Sequence, residues 1–301
     1  MKLFVFGGSG LIGRALLASP RLKEDELFVI SRSPGSRNGG GRVTTLPYDR
    51  DVLAAQLKGD YGIINLAGAG IGDRLWTKKR KKLILDSRVW TGEFISALVN
   101  AAGKKPQFII QASAVGFYGP RGDEPLHEDS PVGKGFLSEV AEQWEGSIKL
   151  QEPDSVRVVH IRTGLVLSAK GGFLAPSLKL FKLFAGGHFG NGKQWMPWIH
   201  MEDEVGAIVF LLRHPSASGA FNLVAPNPVR GKEFYKTLGR VLKRPSWLPV
   251  PAFILRMIPN GFGEELLLTS QHVKPARLLE LGFAFRFQKL ERALSDLFDH
   301  E

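Results

Sequence analysis

Three glycines near the amino terminus constrain the fold of this chain more than any other feature. Gly7, Gly10 and Gly13 lie between an apolar run that ends at Phe6 and a segment whose apolar residues fall on one helical face. In such a strand–turn–helix unit, the first glycine permits the tight turn, the second lets the backbone approach a pyrophosphate, and the third lets helix and strand pack closely. The spacing predicts a dinucleotide-binding βαβ unit with the phosphates at the helix N-terminus, rather than an ordinary glycine-rich turn. The predicted contacts on this unit are Gly7, Ser9, Gly10, Leu11, Ile12 and Gly13.

The end of the second predicted strand distinguishes between NAD and NADP. An acidic residue at this position binds the ribose hydroxyls of NAD, whereas an arginine binds the 2′-phosphate of NADP. The chain has Arg32 there, between Ser31 and Ser33, and no carboxylate. NADP(H) is therefore the predicted cofactor and NAD(H) the less favoured one, with Arg37 as a neighbour that can take the same role. The alternative for these arginines is a solvated loop.

Small residues follow the fourth predicted strand. Asn65, Leu66, Ala67 and Gly68 leave room for the central portion of the cofactor to pass close to the backbone. The alternative is that they form only a tight turn. These four residues complete the predicted cofactor contacts in the first half of the chain, together with Ser113.

Apolar runs alternate with helical patterns through the first half of the chain. Such runs are typical of strands buried on both faces of a parallel sheet, and the intervening helices cover those faces. The predicted fold class is α/β, with a doubly wound parallel sheet. The predicted strands are 2–6, 26–31, 42–47, 61–68, 107–113 and 155–162, and the predicted long helices are 77–102 and 135–150.

Glycines and prolines interrupt the second half of the chain. It retains helical stretches at 173–184, 202–213 and 231–242, a strand at 219–224, and an amphipathic segment after Gln288. We predict a dinucleotide-binding domain over residues 1–164, with later segments returning to it, and a smaller C-terminal α/β lobe over residues 165–301. That lobe is expected to close over the carboxyl edge of the sheet, where open α/β sheets bind ligands.

The composition narrows the class of protein. The chain has 301 residues and no cysteine, which excludes disulfides and thiolate metal sites and favours the cytoplasm. No apolar stretch approaches the roughly 20 residues that cross a membrane. The net charge of +11 favours anionic ligands. The basic run Lys78–Lys82 is interpreted as a solvated first helical turn rather than a nucleic-acid site, because no aromatic residues are interleaved with it.

The segments 7–13, 65–68, 112–119 and 198–203 together resemble the short-chain dehydrogenase/reductase superfamily. The segments 74–77, 87–88, 192–195, 225–229, 244–245 and 250–252 resemble, within it, an atypical NAD(P)-dependent epimerase/dehydratase-like family. The resemblance covers nearly the whole chain. It implies a Rossmann fold and a C-terminal domain of unknown function, of the DUF1731 type, over residues of about 249–297.

The resemblance also implies a Ser/Tyr/Lys catalytic set, in which the tyrosine exchanges a proton while hydride moves and the lysine lowers the pKa of the tyrosine. Ser113 matches the serine that holds the substrate oxygen. The Tyr-x-x-x-Lys pair expected in the next helix is absent from residues 134–145, as it is from the atypical family generally. Tyr118 and Lys134 are candidate replacements, and Glu139 or Glu142 is a candidate carboxylate if its side chain points inward.

A glycine-rich loop with aromatic residues, 186–200, is typical of a lid over a pocket. Trp195, Trp198 and His200 are candidates for contact with substrate or nicotinamide, and Gln194 is a candidate for binding a sugar-like hydroxyl. Arg162, at the end of the sixth strand, is a candidate for binding an anionic substrate. The alternatives are that the aromatic residues anchor the lobe to the sheet and that Arg162 braces its loop. Asp203 is interpreted as a helix-start residue, and the scattered histidines predict no metal site.

The leading hypothesis is an NADP(H)-binding, epimerase/dehydratase-like oxidoreductase or isomerase that acts on a small polar, sugar-derived substrate. The alternative is a dinucleotide-binding sensor or scaffold without chemistry, because the Tyr/Lys pair is missing. A third hypothesis, nucleic-acid binding through Lys78–Lys82, would require a strongly salt-dependent affinity. A monomer and a homodimer are equally compatible with the sequence.

Overall fold

Seven parallel strands form the central sheet of the computed structural model, which describes residues 1–33 and 42–298. Arg37 lies outside the described residues. The strand order is β11-β7-β5-β4-β1-β2-β3, so the predicted doubly wound parallel sheet is confirmed. The sheet strands are β1 (Lys2–Phe6), β2 (Glu26–Ile30), β3 (Val43–Leu46), β4 (Tyr61–Asn65), β5 (Phe108–Ala114), β7 (Arg157–Thr163) and β11 (Gly219–Leu223). Short strands outside it are β6 (Pro125–Leu126), β8 (Leu165–Leu167), β9 (Trp195–Met196), β10 (Trp198–His200), β12 (Val229–Arg230) and β13 (His272–Val273).

The helices connect these strands and cover both faces of the sheet. Side-chain caps fix where several of them begin: Asp49 Oδ1 accepts from the Val52 N–H at 3.0 Å, and Thr77 Oγ1 accepts from the Arg80 N–H at 3.1 Å. The helices are α1 (Leu11–Leu17), α2 (Arg50–Gln56), α3 (Lys78–Ala101), α4 (Phe136–Glu145), α5 (Leu174–Lys182), α6 (Met201–Arg213), α7 (Gly231–Val241), α8 (Ala252–Arg256), α9 (Ala276–Glu280) and α10 (Leu290–Phe298).

The three largest clusters of buried apolar side chains are one core on each face of the sheet and a third core in the second lobe. The alternating residues Leu3 and Val5 of β1 point into the first core, whereas Phe4 and Phe6 point into the second. Strands buried on both faces are apolar throughout, and this is why the runs were recognisable in the sequence. The third core joins α5, α7 and α10 around Trp198 and Phe234.

Two elements from the second half of the chain belong to the sheet unit. Strand β11 extends the sheet by pairing in parallel with β7, from Gly219 opposite Val159 to Leu223 opposite Thr163. Helix α6 packs its apolar residues into the same core as β1 and α1. The sheet unit therefore includes segments from beyond residue 164.

The order of the strands reverses between β1 and β4. From β1 the chain proceeds through β2 to β3, and it then crosses back to β4 on the other side of β1. In open α/β sheets, ligands bind at such a switch point, beyond the carboxyl ends of the strands. The three glycines after β1 and the small residues after β4 both lie there.

Candidate functional site

The glycine turn after β1 packs directly against the turn after β4. Gly7 has a φ of +80°, and a Cβ atom added to it would lie 2.5 Å from the carbonyl carbon of Leu66. At Gly13 an added Cβ would lie 2.4 Å from the carbonyl oxygen of Gly7. A side chain at either position would therefore drive the turn, the helix and β4 apart.

The start of α1 presents backbone rather than side chains. Gly10 is the N-cap residue, has no side chain to cap the helix, and donates from its N–H to Gly7 O at 3.0 Å. The free N–H groups of a first helical turn then remain for a ligand anion. Ser9 and Gly10 are exposed, and Leu11 and Ile12 are half-buried beside them.

The residues predicted to read the adenosine end lie together after β2. Arg32 and Ser33 are exposed, and the Ser33 N–H donates to Ser31 Oγ at 3.2 Å. Arg32 is close enough to Tyr48 to affect it: burial raises the pKa of Tyr48, and the positive charge of Arg32 opposes that rise. The 31–33 turn is thus an accessible, positively charged end of the switch point.

The Asn65 side chain shapes the turn after β4, and the strand is shorter than the sequence predicted. The sequence predicted strand as far as Gly68, whereas β4 ends at Asn65, because the Asn65 side chain turns the chain there. Its Oδ1 accepts from the Ala67 N–H at 3.1 Å, and its Nδ2 donates to Gln111 at 2.9 Å. Leu66 and Ala67 are half-buried and Gly68 is exposed, as a surface along which a ligand passes requires.

A cleft of about 210 Å³ lies between the sheet unit and the second lobe. It is placed beyond the ends of β5 and β7, on the same edge of the sheet as the glycine turn. Its sheet-side walls include Arg88, Ala114, Val115, Lys134, Ser138, Trp144 and Thr163, and its walls from the second lobe include Leu165, Phe173, Trp195, Tyr235, Glu265 and Gln271. The lining is mostly apolar with a few polar groups, which is the usual character of a small-molecule site.

Ser113 is held next to a salt bridge at the end of β5. Its Oγ donates to Glu145 Oε1 at 2.6 Å. Arg162 binds the same carboxylate through two hydrogen bonds, from Nε to Oε1 at 2.8 Å and from Nη2 to Oε2 at 2.9 Å. Ser113 is 3% exposed and precedes Ala114, which lines the cleft. The sequence gives no sign that Glu145 lies beside Ser113, because 32 residues separate the two along the chain.

Tyr118 lies in a closed network beneath the strand ends and does not line the cleft. Its hydroxyl donates to Asn222 Oδ1 at 2.6 Å and accepts from Arg162 Nη1 at 3.0 Å. Burial raises the pKa of Tyr118 to about 12, although Arg162 acts in the opposite direction. Arg162 also donates to the backbone oxygen of Glu128 at 2.9 Å. Tyr118 as a proton donor therefore stays a prediction, and this enclosure weakens it, while Arg162 is occupied by contacts within the protein.

A second carboxyl group lies under the cleft. Thr163 lines the cleft, and its hydroxyl donates to Glu204 Oε1 at 2.8 Å. Glu204 is fully buried, and its Oε2 has no hydrogen-bond partner among the described residues. Burial raises the pKa of Glu204 to about 8, so the neutral acid is the favoured form at pH 7.

Of the residues predicted on the lid segment, Trp195 is the one placed at the cleft. Its Nε1 donates to Asp123 Oδ1 at 3.1 Å, and its ring stacks on His272 with 4.1 Å between centroids. The Arg230 guanidinium lies 4.0 Å from the centroid of the indole ring and bonds the same Asp123 oxygen at 2.6 Å. Gln194 is buried behind this point, where its Nε2 donates to Phe189 O at 3.1 Å.

Trp198 and His200 point into the interior of the second lobe. Trp198 is fully buried on β10, which pairs with β8. His200 caps α6 by accepting from the Glu202 N–H at 3.2 Å, and its ring lies 3.9 Å from that of Phe287. Burial lowers the pKa of His200. For both residues, the structure favours the alternative in which the aromatic side chains anchor the lobe to the sheet.

Helix α4, which forms one wall of the cleft, contains neither tyrosine nor lysine. Its first N–H groups are bound by Glu265, whose carboxylate accepts from Phe136 N at 3.1 Å and Leu137 N at 2.8 Å. Glu139 and Glu142, the candidate carboxylates, are exposed on the outer face of the helix. Lys134 lines the cleft just before the helix begins.

The described part of the chain has neither a cluster of metal ligands nor a membrane-spanning helix. Within residues 1–33 and 42–298, no three His, Asp or Glu side chains are grouped so that they could hold a metal ion. Over the same residues, no helix combines the length and the apolar character needed to cross a membrane.

Asp203 accepts from the Arg286 and Phe287 N–H groups at 2.8 Å and 2.9 Å, in the first turn of α6.

Known proteins resemble this chain over nearly its whole length. Residues 250–297 match a family described as a domain of unknown function (DUF1731). The chloroplastic epimerase family protein SDR39U1 homolog of Arabidopsis thaliana is 39% identical over 302 residues, which cover 98% of this chain and 86% of that protein. The match within residues 250–297 corresponds to the predicted C-terminal domain.

Solved structures give the same result. The crystal structure of human epimerase family protein SDR39U1 (isoform 2) with NADPH is 32% identical, covers 100% of both chains and has a TM-score of 0.89. A nucleoside-diphosphate sugar epimerase from Corynebacterium glutamicum is also 32% identical with a TM-score of 0.76, and this chain spans 59% of its length. The predicted resemblance to NAD(P)-dependent epimerase/dehydratase-like proteins is thus confirmed. The chain belongs to the epimerase family that includes SDR39U1.

Proposed function

We propose that this protein binds NADP(H) at the switch point and catalyses an oxidoreductase or epimerase reaction on a small polar, sugar-derived molecule held in the cleft. The glycine turn carries the proposal, because Gly7 and Gly13 leave no room for a side chain and bring backbone to the place where a pyrophosphate binds. The human relative that aligns end to end with this chain was crystallised with NADPH. We place the protein in the cytoplasm, as the absence of cysteine favours.

Arg32 is the residue that we assign to the 2′-phosphate. It is exposed at the end of β2, and its positive charge acts to lower the pKa of Tyr48. The 31–33 turn contains no carboxylate that could bind ribose hydroxyls instead. The predicted cofactor contacts on the remaining loops are those named from the sequence, from Gly7 to Gly13 and from Asn65 to Gly68. Arg32→Ala tests the assignment directly.

The measurement is the affinity for NADPH and for NADH, followed by quenching of tryptophan fluorescence. Arg32→Ala is expected to weaken NADPH binding by about tenfold or more, because a charge-assisted contact to phosphate is lost, and to change NADH binding little. Arg240→Ala, an exposed arginine of α7 paired with Glu291, is the matched control and should change neither affinity. An unchanged preference for NADPH in Arg32→Ala would contradict the assignment.

Ser113 and Glu145 supply a route for a proton. The cofactor, when bound, accepts or returns a hydride at a substrate carbon. Because the Ser113 hydroxyl donates its hydrogen bond to Glu145, the serine oxygen has lone pairs with which to accept a hydrogen bond from a substrate hydroxyl. As that hydroxyl becomes a carbonyl, its proton passes to Ser113 Oγ and the serine proton passes to Glu145 Oε1. Arg162 keeps the carboxylate in position through its two hydrogen bonds.

A sensor or scaffold that binds dinucleotide without chemistry is the second candidate function. The observation that favours it is that α4 lacks the Tyr-x-x-x-Lys pair on the wall of the cleft. A turnover assay over nucleotide sugars and small carbonyl compounds separates the two functions. If the protein is an enzyme, the Ser113→Ala and Glu145→Gln variants should each have a turnover rate about 10²-fold or more below that of the wild type, with NADPH affinity retained. NADPH binding with no turnover across the panel would favour the sensor.

A further inference from the structure

Arg88 is a buried cation on the wall of the cleft without an anionic partner. It is 6% exposed, and its Nη1 donates to Ala69 O at 3.0 Å and to Ile84 O at 2.8 Å, which hold the loop after β4. Its Nε has no acceptor among the residues that the structure describes. No carboxylate in the described part of the chain pairs with Arg88, so none of these carboxylates engages the Nε–Nη2 edge, which can bind a carboxylate bidentately.

A second unpartnered donor lies beside this guanidinium. The Arg88 Cζ atom is 4.7 Å from the centroid of the Trp144 ring, so a cation–π contact holds the two side chains together. Trp144 is buried and lines the same cleft, and its Nε1 has no acceptor among the described residues. Two buried N–H donors without acceptors therefore share one wall of the cleft, a costly arrangement if nothing binds there.

The charges nearby do not neutralise Arg88. Burial, together with the charge of Arg80, lowers the pKa of Arg88 to about 10, which leaves it protonated at neutral pH. Glu265, an acidic residue that lines the cleft, accepts hydrogen bonds from the first two N–H groups of α4 instead. Lys134 adds a second positive charge to the lining. The cleft is therefore positively charged on its sheet side.

We propose that Arg88 and Trp144 Nε1 bind an oxyanion, a carboxylate or a phosphate, carried by the small molecule that occupies the cleft. This rests on the proposed function, since it defines the substrate class of the same site: a polar compound that bears a negative charge. Arg88 then has two tasks. Nη1 fixes the loop after β4, and the Nε–Nη2 edge orients the anionic end of the substrate against Trp144.

The test uses trifluoroacetate as the probe and ¹⁹F NMR line broadening as the measurement, with the full chain both free and saturated with NADPH. Trifluoroethanol, which has no charge, is the control probe and should not broaden. Trifluoroacetate is expected to bind the wild type in both states. Arg88→Met should weaken that binding by about tenfold or more, and Arg88→Lys, which keeps a charge but loses the bidentate edge, by an intermediate factor.

Two further variants keep the test sharp. Trp144→Phe keeps the ring and removes the donor, so it should weaken binding about threefold or more, a loss typical of one hydrogen bond. Arg240→Met, far from the cleft, should bind as the wild type does. If Arg88→Met does not fold, Arg88→Lys and Trp144→Phe decide the matter. Equal trifluoroacetate affinity in the wild type, Arg88→Lys and Trp144→Phe would overturn the proposal.

The two sources of an oxyanion are distinguished by the NADPH-saturated arm. Loss of trifluoroacetate binding on saturation with NADPH would assign Arg88 to a phosphate of the cofactor and overturn the assignment to substrate. NADPH affinity is measured in the same samples by fluorescence. A protein that binds trifluoroacetate through Arg88 but does not bind NADPH would refute the proposed function and still support the anion site.

Discussion

Arg162 and Glu145 form a bidentate salt bridge that joins the end of β7 to the end of α4, with both side chains largely buried. Removing one member of such a pair leaves the other charge buried and unpaired. We therefore expect Glu145→Ala to lower the free energy of unfolding by about 3–5 kcal/mol, measured by urea denaturation. Glu291→Ala, which removes the exposed partner of Arg240, should cost less than about 1 kcal/mol. Similar losses in the two variants would show that the Arg162 pair is effectively solvated.

Glu204 gives the protein a stability that declines as pH rises. Its folded pKa of about 8 lies above its ordinary value of 4.5, so the folded state binds the proton more tightly. The stabilisation is complete below pH 4.5 and is lost as pH rises through 8. Glu204→Gln mimics the neutral acid, so its melting temperature should exceed that of the wild type at pH 9 by several degrees, and this advantage should vanish at pH 5. If the difference in melting temperature between Glu204→Gln and the wild type is the same at pH 5 and at pH 9, Glu204 is not a buried neutral acid.

Gly7→Ala is expected to destabilise the protein for two separate reasons. Gly7 and Gly59 both have positive φ, +80° and +75°, but only at Gly7 does an added Cβ meet other atoms, whereas around Gly59 nothing lies within 4 Å. Gly59→Ala should therefore cost about 1 kcal/mol from backbone strain alone. Gly7→Ala should cost about 3 kcal/mol or more in urea unfolding and also weaken NADPH binding. Equal costs at the two glycines would show that the turns after β1 and β4 separate easily.

Tyr118→Phe separates a structural from a catalytic role of the tyrosine. The change leaves Asn222 Oδ1 without its donor and Arg162 Nη1 with one acceptor fewer, in a fully buried place. The free energy of unfolding should fall by about 1–3 kcal/mol. We expect NADPH affinity and turnover to stay within about twofold of the wild type, since the hydroxyl already donates to Asn222 and accepts from Arg162. A rate loss of about 10²-fold with intact stability would instead assign proton transfer to Tyr118.

The sheet was predictable because its strands are apolar on both faces. Runs such as Leu3–Phe6 and Tyr61–Asn65 have no polar alternation, so the positions of these strands along the chain could be predicted from the sequence, whereas the addition of β11 to the edge of the sheet could not. The glycine turn was equally predictable, because close backbone contacts exclude every other residue type at Gly7 and Gly13. The predicted preference for NADP(H) agrees with the NADPH in the human relative.

The cleft was much less predictable. Trp195, Trp198 and His200 lie within six residues of one another, yet Trp195 on β9 lines the cleft, whereas Trp198 and His200 are on β10, which is buried along its whole length. The partners of Ser113 and Arg88 come from other elements, and sequence spacing carries no sign of them. In the sequence, Arg88 is notable only as part of a family motif, and no pattern around it indicates that its charge is buried and unpaired.

The contact between Gly7 and Leu66 has a consequence for how this site can change. The two turns interlock through main-chain atoms, so almost any substitution there costs both folding and affinity. Arg32 is solvent-exposed on a neighbouring loop, where a replacement does not disturb the packing of the core. The part of the site that we assign to holding a dinucleotide therefore cannot be changed without changing the fold, while the part that we assign to choosing between dinucleotides can be. We expect that coenzyme preference can be altered at Arg32 with little loss of stability.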